Sequence, residues 1–251
     1  MAEPSVKSAR RAMELLEFFA DWRRPASVKE ISQSLGWPQS STSVLLRALA
    51  TAGYYDQDPR TGMYTPNVRN LLAVEWIGEH MFSEQSLLRL MEKVHGQTGH
   101  TVMIGAQHGL HVRYLHVLQA TREGRFTAKT GSLRSLFHSA TGKMLLTLKH
   151  EREVALLLRR ANATESDPSR VLSLDAVLRE REETRGNGYA LSLGTSVAGA
   201  AALAILLPVP RGEKPMTLSV GGPMPEVVPE KPQLLKVLQD AVGPMRAAVV
   251  K

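Results

Sequence analysis

The stretch "GWPQSSTSVLLRALATAGYYDQDPRTGMY", Gly36 to Tyr64, decides how the first part of the chain is read. Pro38, an amide and a run of hydroxyl residues lead into a helical pattern. Leu45, Leu46, Leu49 and Ala52 make one side, and Ser40, Ser43, Val44 and Arg47 make the other at i, i+3, i+4 and i+7. Proline suits a helix start, where its missing N–H is not needed. Gly53 ends the pattern. "YYDQDPRTGMYTP" then reads as strand, turn, strand, with Asp58-Pro59-Arg60-Thr61-Gly62 as the turn between two tyrosine-bearing edges.

Working upstream, Ser27 followed three residues later by Glu30 is a capping box, each side chain satisfying an amide at a helix start. Val28, Ile31 and Leu35 form the buried stripe of this short helix, and Gly36 closes it. Before it, Ala9, Met13, Leu16 and Ala20, with Ala12, Leu15 and Phe19 beside them, predict a helix from Val6 to about Ala20. Two short helices joined by a tight turn and followed by a hairpin have the layout of a winged helix-turn-helix.

A helix entering the major groove must present donors and acceptors to base edges and phosphates. Gln39 could pair with adenine, Arg47 with guanine or phosphate, and the hydroxyls of Ser40, Ser41, Thr42 and Ser43 with either. Arg60 at the wing tip is placed for the backbone or minor groove. Arg10 and Arg11, with Lys7, could hold phosphates from the first helix. The plainer alternative is a capped helix with solvated serines.

Beyond the hairpin, Leu71, Leu72, Val74 and Ile77 suggest a connector helix over residues 68–81. A further helix is expected from about Glu84 to His95, after which the period changes. "TVMIGAQ" and "LHVRYLHVL" read as strands around His108-Gly109. "FHSATGKMLLTL", "EREVALLLRR" and "SLDAVLREREETRGNGY" turn helical, "AALAILLPVP" and "MTLSVGG" are strands, and "KPQLLKVLQDAVGPMRAAVV" is a closing helix. Residues 82–251 therefore read as an α/β (α+β) domain with a mostly antiparallel sheet, and residues 1–67 as the DNA-binding domain.

The chain has 251 residues, 43% hydrophobic and 22% charged, ordinary for a globular protein with room for two domains. It has no cysteine, which excludes disulfides and thiol chemistry and fits a reducing cytoplasm. No apolar run suits a signal peptide or a bilayer span, so a cytoplasmic location without membrane is expected. The net charge of +7 suits a polyanionic partner. Yet residues 1–75 carry nine Lys and Arg against eight Asp and Glu, a net of +1. The DNA reading therefore rests on arrangement rather than bulk charge.

Enzyme motifs fail one by one. "ATGKM" lacks the P-loop glycine spacing, and "GNGYA" lacks the third glycine of a dinucleotide loop. "GTSVA" misses the last glycine of a nucleophile elbow. His108, His111 and His116 lie close in sequence, but no carboxylate supports them as metal ligands. No enzyme activity, cofactor or metal is expected. A DNA-tethered hydrolase is the runner-up.

Three blocks, in order and spacing, resemble the IclR family of bacterial transcription regulators. They are "SVKEISQSLGWPQSSTSVLLRALATAGYYDQDPRTGMYTP", "GSLRSLFHSATGKMLL" (Gly131 to Leu146) and "RGNGYALSLGTSVAGAAALAILLPVP". The family often has an arginine where this chain has Val44 and a lysine where it has Gln39. It usually has acidic residues where this chain has Gly194 and Thr195. The resemblance implies a C-terminal GAF-like effector domain and a homodimer or dimer of dimers (homotetramer) on double-stranded operator DNA. It points to effector-binding positions at Gly131, Ser132, Leu133, His138, Ser139, Leu191, Ser192 and Ser219, with His138 as readily a capping or core residue. The acid-free stretch from Leu191 to Leu207 favours an apolar cavity. The expected role is a ligand-responsive repressor or activator of a catabolic operon, sensing a small organic acid, with an aromatic one favoured.

Overall fold

The computed structural model describes residues 6–74, 87–121, 128–209 and 212–249. The chain divides into two compact units, Met1–His80 and Met81–Lys251.

The first unit has helices α1 (Lys7–Trp22), α2 (Val28–Leu35) and α3 (Gln39–Thr51), then strands β1 (Tyr55–Gln57) and β2 (Tyr64–Pro66). Helix α4 is described over residues 69–74. The rest of the expected connector lies outside the described residues, as does the expected start of the next helix at Glu84. The capping box of α2 forms: the Ser27 amide donates to Glu30 Oε2 at 2.8 Å, and the Glu30 amide donates to Ser27 Oγ at 3.3 Å. Gly36 closes α2 at φ 65°, a left-handed conformation that glycine adopts without steric penalty.

The α1 core face differs from the expected one. Leu15, Phe18 and Phe19 are buried, whereas Met13 and Ala20 are exposed. The aromatic cluster of Phe18, Phe19, Trp22 and Tyr55 draws the helix onto that stripe. Ala26 adds a bridge to the wing by exchanging both backbone hydrogen bonds with Tyr64, at 3.0 and 2.8 Å.

The second unit contains α5 (Leu87–Thr98), β3 (Thr101–His108), β4 (His111–Leu118), β5 (Leu133–Ser135), α6 (Ala140–Leu146), α7 (Glu151–Thr164), α8 (Leu174–Asn187), β6 (Ala190–Leu193), β7 (Ala200–Leu206), β8 (Met216–Pro223) and α9 (Met224–Val249). The strands form one sheet of order β5-β4-β3-β8-β7-β6, antiparallel at every described pairing. The architecture is α+β. On one face α5 and α9 bury Leu90, Val94, Leu234 and Leu238 against Ile104, Leu203, Ile205 and Leu218. On the other, Leu136, Leu145, Val154, Leu158 and Val177 pack on Met103, Val112 and Tyr114. Helix α6 lies so close that a Cβ on Gly142 would sit 2.1 Å from the Leu136 carbonyl oxygen.

Helix α9 starts seven residues before the expected "KPQLL". Prolines at 225, 229 and 232 hide that start in the sequence. Pro225 sits in the first turn, where no amide is needed, and Pro229 and Pro232 each remove one bond from a helix held down by packing.

Candidate DNA interface and effector cleft

Helix α3 begins at Pro38, which occupies the cap position and offers no side-chain acceptor. Two of the hydroxyls that follow close back on it. Ser41 Oγ donates to the Pro38 carbonyl at 3.0 Å, and Thr42 Oγ1 does the same at 3.0 Å. Thr42 is 0% exposed, so it is not available to a base or phosphate. It takes the inward position, with Leu46 and Leu49, that the sequence reading gave to the exposed Ala52.

The opposite face matches the expectation. Gln39, Ser40, Val44 and Arg47 are exposed and Ser43 is half-buried. Among the described residues, no hydrogen bond or ion pair ties down the side chains of Gln39, Ser40, Ser43 or Arg47. The face is a row of unengaged donors and acceptors at the start of a helix whose first amides have no side-chain cap, a surface suited to phosphate and base edges.

The wing turn is built by Asp58. Its Oδ1 accepts the Arg60 amide at 2.8 Å, and its carbonyl accepts the Gly62 amide at 2.8 Å. The Arg60 amide bond, helped by the Thr61 side chain, holds the Asp58 carboxyl below its usual range. Arg60 itself is exposed at the tip.

Two of the first-helix cations are engaged within the unit. Arg10 pairs with Glu14 at 3.3 Å. Arg11 Nη1 donates to Ser41 Oγ at 3.0 Å, and its guanidinium lies 4.9 Å from the centre of the Trp37 ring. Arg11 therefore links α1 to α3 and to Trp37 ahead of its start.

In the second unit a narrow cleft of about 10 Å³ opens between β4, the α6 start and the β6–β7 loop. Tyr114, Ser139, Ser192 and Ser196 line it with hydroxyls, and Ala140, Val197 and Ala200 to Ala202 make its apolar wall. None of the lining side chains is charged. Ser139 caps α6 by accepting the Gly142 amide at 3.1 Å, and it donates to the Ser135 carbonyl at 2.7 Å. Burial raises the Tyr114 phenol above its ordinary value, partly offset by Arg134.

Of the eight expected effector residues, the cleft brings together only Ser139 and Ser192. Gly131 is exposed in a turn anchored by its amide to the Tyr114 carbonyl at 2.7 Å, and Leu133 is exposed at the start of β5. Ser132 Oγ donates to the Lys129 carbonyl at 2.6 Å. Leu191 packs into the α5–α9 core on the other sheet face. Ser219 is 0% exposed and donates to the Met103 carbonyl at 3.2 Å.

His138 turns instead into a separate small pocket with Asn162, Glu165 and Arg170. Burial, then the Arg170 charge, holds its imidazole below its ordinary value of 6.5, while its bond to the Arg170 backbone pulls the other way. Ser196 and His138 thus line different pockets and form no nucleophile–base pair.

Tyr114, Ser196 and the alanine wall were not among the expected effector residues. The inward alternation of Val112 and Tyr114 in "HVRY" was the available signal for the tyrosine.

A wider open groove of about 970 Å³ lies by Lys149, His150 and Arg152. Its inner arginines are committed to carbonyls at the C-terminal end of α6 and just beyond it. Arg181 Nε donates to the Leu146 carbonyl at 3.1 Å, and Arg185 Nη2 donates to the Thr147 carbonyl at 2.8 Å. Among the described residues no group of three or more His, Asp or Glu side chains is arranged to hold a metal, and no helix is long and apolar enough to cross a membrane. His108 instead meets Arg113 Nη2 at 2.9 Å.

Two family models cover most of the chain. Residues 83–245 match the model described as bacterial transcriptional regulator IclR C-terminal, and residues 8–59 match the IclR helix-turn-helix domain. The chain belongs to the IclR family. The family's two domain models place a helix-turn-helix on the first unit and the regulator's C-terminal domain on the second, so the chain is a DNA-binding transcription regulator.

Among similar proteins, the HTH-type transcriptional regulator XynR of Escherichia coli K12 is 24% identical over 202 residues, covering 80% of each chain. The HTH-type transcriptional repressor AllR of the same strain is 23% identical over 227 residues, covering 89% of this chain and 82% of AllR. The crystal structure of Thermotoga maritima IclR shares the fold at 18% identity, with a TM-score of 0.63 over 98% of this chain and 99% of that one. An IclR effector domain from Acinetobacter sp. ADP1 aligns with TM-score 0.62 at 23% identity, over 67% of this chain and 98% of that one.

Proposed function

We propose that this regulator answers to a small organic acid bound in the cleft of the second unit, and that it controls a catabolic operon as a homodimer in the cytoplasm. The observation that carries the reading is the cleft itself. Three serine hydroxyls and a tyrosine face an alanine wall at the start of α6, with no charged side chain among them. Such a site orients one polar group by hydrogen bonds and packs the ligand body against apolar surface. The alanines and Tyr114 favour an aromatic or otherwise apolar body. At about 10 Å³ the cleft holds about one water, so the β6–β7 loop must move for entry. The AllR relative is named a repressor, which supports repression as the mode of control. In a homodimer, two copies of α3 read the half-sites of a pseudo-palindrome.

The test is a panel of aromatic and short-chain organic acids, followed by calorimetry and by mass spectrometry of the recovered compound. The reading expects one acid to bind, to be returned unaltered, and to bind more weakly to Ser192→Ala. Turnover that disappears in Ser196→Ala would replace it with the hydrolase reading.

A further inference from the structure

We propose that Val44 reads a thymine of the operator through its C5 methyl group. The inference rests on α3 being the helix that enters the major groove, and it assigns that helix a specificity residue. Val44 is 58% exposed at the middle of α3, while Leu46 two positions on is 0% exposed in the core. Val44 is absent from the apolar cluster of its unit, which includes Leu16, Trp37 and Leu49. Its helical neighbours at i−4 and i+3 are Ser40 and Arg47, both exposed, and half-buried Ser43 lies on their far side. An apolar side chain thus stands exposed beside groups that bond to base edges.

The major groove offers one apolar feature among its donors and acceptors, the thymine methyl. A branched aliphatic side chain has no hydrogen bond to give to guanine, cytosine or adenine at that position. It also leaves their polar edges without a partner. Against a thymine it removes apolar surface from water on both sides. Val44 therefore selects A·T over G·C by contact with the methyl group and by the penalty of unpaired edges.

The experiment uses the full chain and a duplex that it selects from a random-sequence pool. That duplex is remade with deoxyuridine in place of thymidine at one position at a time, which removes the methyl and leaves base pairing intact. At one thymine in each half-site the substitution should weaken binding about fourfold, the equivalent of about 0.8 kcal/mol for one buried carbon. In Val44→Ser the sensitivity at that thymine should disappear, with other positions unchanged. The side chain is 58% exposed and lies outside the buried cluster of its unit, and a thermal melt of the variant checks that the fold is intact. Wild-type protein indifferent to every deoxyuridine overturns the proposal, as does a sensitivity that persists undiminished in Val44→Ser. Weakening by Arg47→Ala without any methyl effect would remove Val44 alone. Silence of both would remove α3 as the reading helix.

Discussion

Arg11 on α1 donates to the Ser41 hydroxyl on α3 at 3.0 Å, and the Ser41 hydroxyl in turn donates a hydrogen bond to the Pro38 carbonyl that opens the helix. The Arg11 guanidinium also lies over Trp37, which follows α2. One side chain thus ties the first helix to both halves of the helix-turn-helix. Arg11→Ala should lower stability in denaturant unfolding by about 1 kcal/mol, the sum expected of one modest hydrogen bond and one cation–π contact. The salt dependence of DNA binding should stay the same. A salt slope reduced by about one unit with stability untouched would make Arg11 a phosphate contact instead.

Arg47 and Arg60 are both exposed and differ in what they should do. Arg47→Ala should weaken operator binding by about 1–3 kcal/mol and relax preference at one base pair. Arg60→Ala, at the wing tip, should weaken all sequences alike and lower the salt slope by about one unit. Competition titrations at several salt concentrations separate the two patterns.

Local chemistry explains what the sequence disclosed. The Ser27–Glu30 box, the Gly36 stop and the Asp58–Gly62 turn each depend on residues within four positions, so their roles could be read directly. Thr42 could not be, because its hydroxyl looks polar in the sequence but is satisfied by a carbonyl one turn back. The α1 face was misplaced because aromatic packing across the unit outweighed the alanine periodicity. The proposed cleft was half legible. Ser139 and Ser192 lie in blocks that resemble the family, whereas Tyr114 reaches the cleft only through the pairing of distant strands. Ser219 and Leu191 rest on the family resemblance alone, and in the sheet Ser219 bonds the Met103 carbonyl while Leu191 packs on the α5–α9 core.

Arg181 is 6% exposed and bonds the Leu146 carbonyl at the end of α6 and the Lys149 carbonyl just beyond it, with Glu182 beside it. Arg181→Met keeps the apolar stem but removes the side-chain donor to the Lys149 carbonyl, while the Leu146 carbonyl keeps the Lys149 amide. It should cost about 2–4 kcal/mol in urea unfolding. A loss below about 0.5 kcal/mol, the range of ordinary surface substitutions, would show that the guanidinium is dispensable.

His138 gives a pH signature. Its folded pKa lies below the ordinary 6.5 because of burial and Arg170. The unfolded chain therefore binds the proton more readily, so stability is full above pH about 6.5 and falls as the pH drops toward the folded value. Urea midpoints at pH 7.5 and 5.5 should differ more for the wild type than for His138→Asn. An equal difference would show that this imidazole titrates normally.

A regulator of this kind requires the second unit to report its ligand to the first. Titrating the bound acid with and without operator, and operator with and without the acid, measures that coupling. The acid should change operator affinity by about 5–150-fold, a coupling of about 1–3 kcal/mol, and operator should change affinity for the acid by the same factor in the same direction. An acid that binds tightly, loses affinity in Ser192→Ala and yet leaves operator affinity unchanged would contradict it.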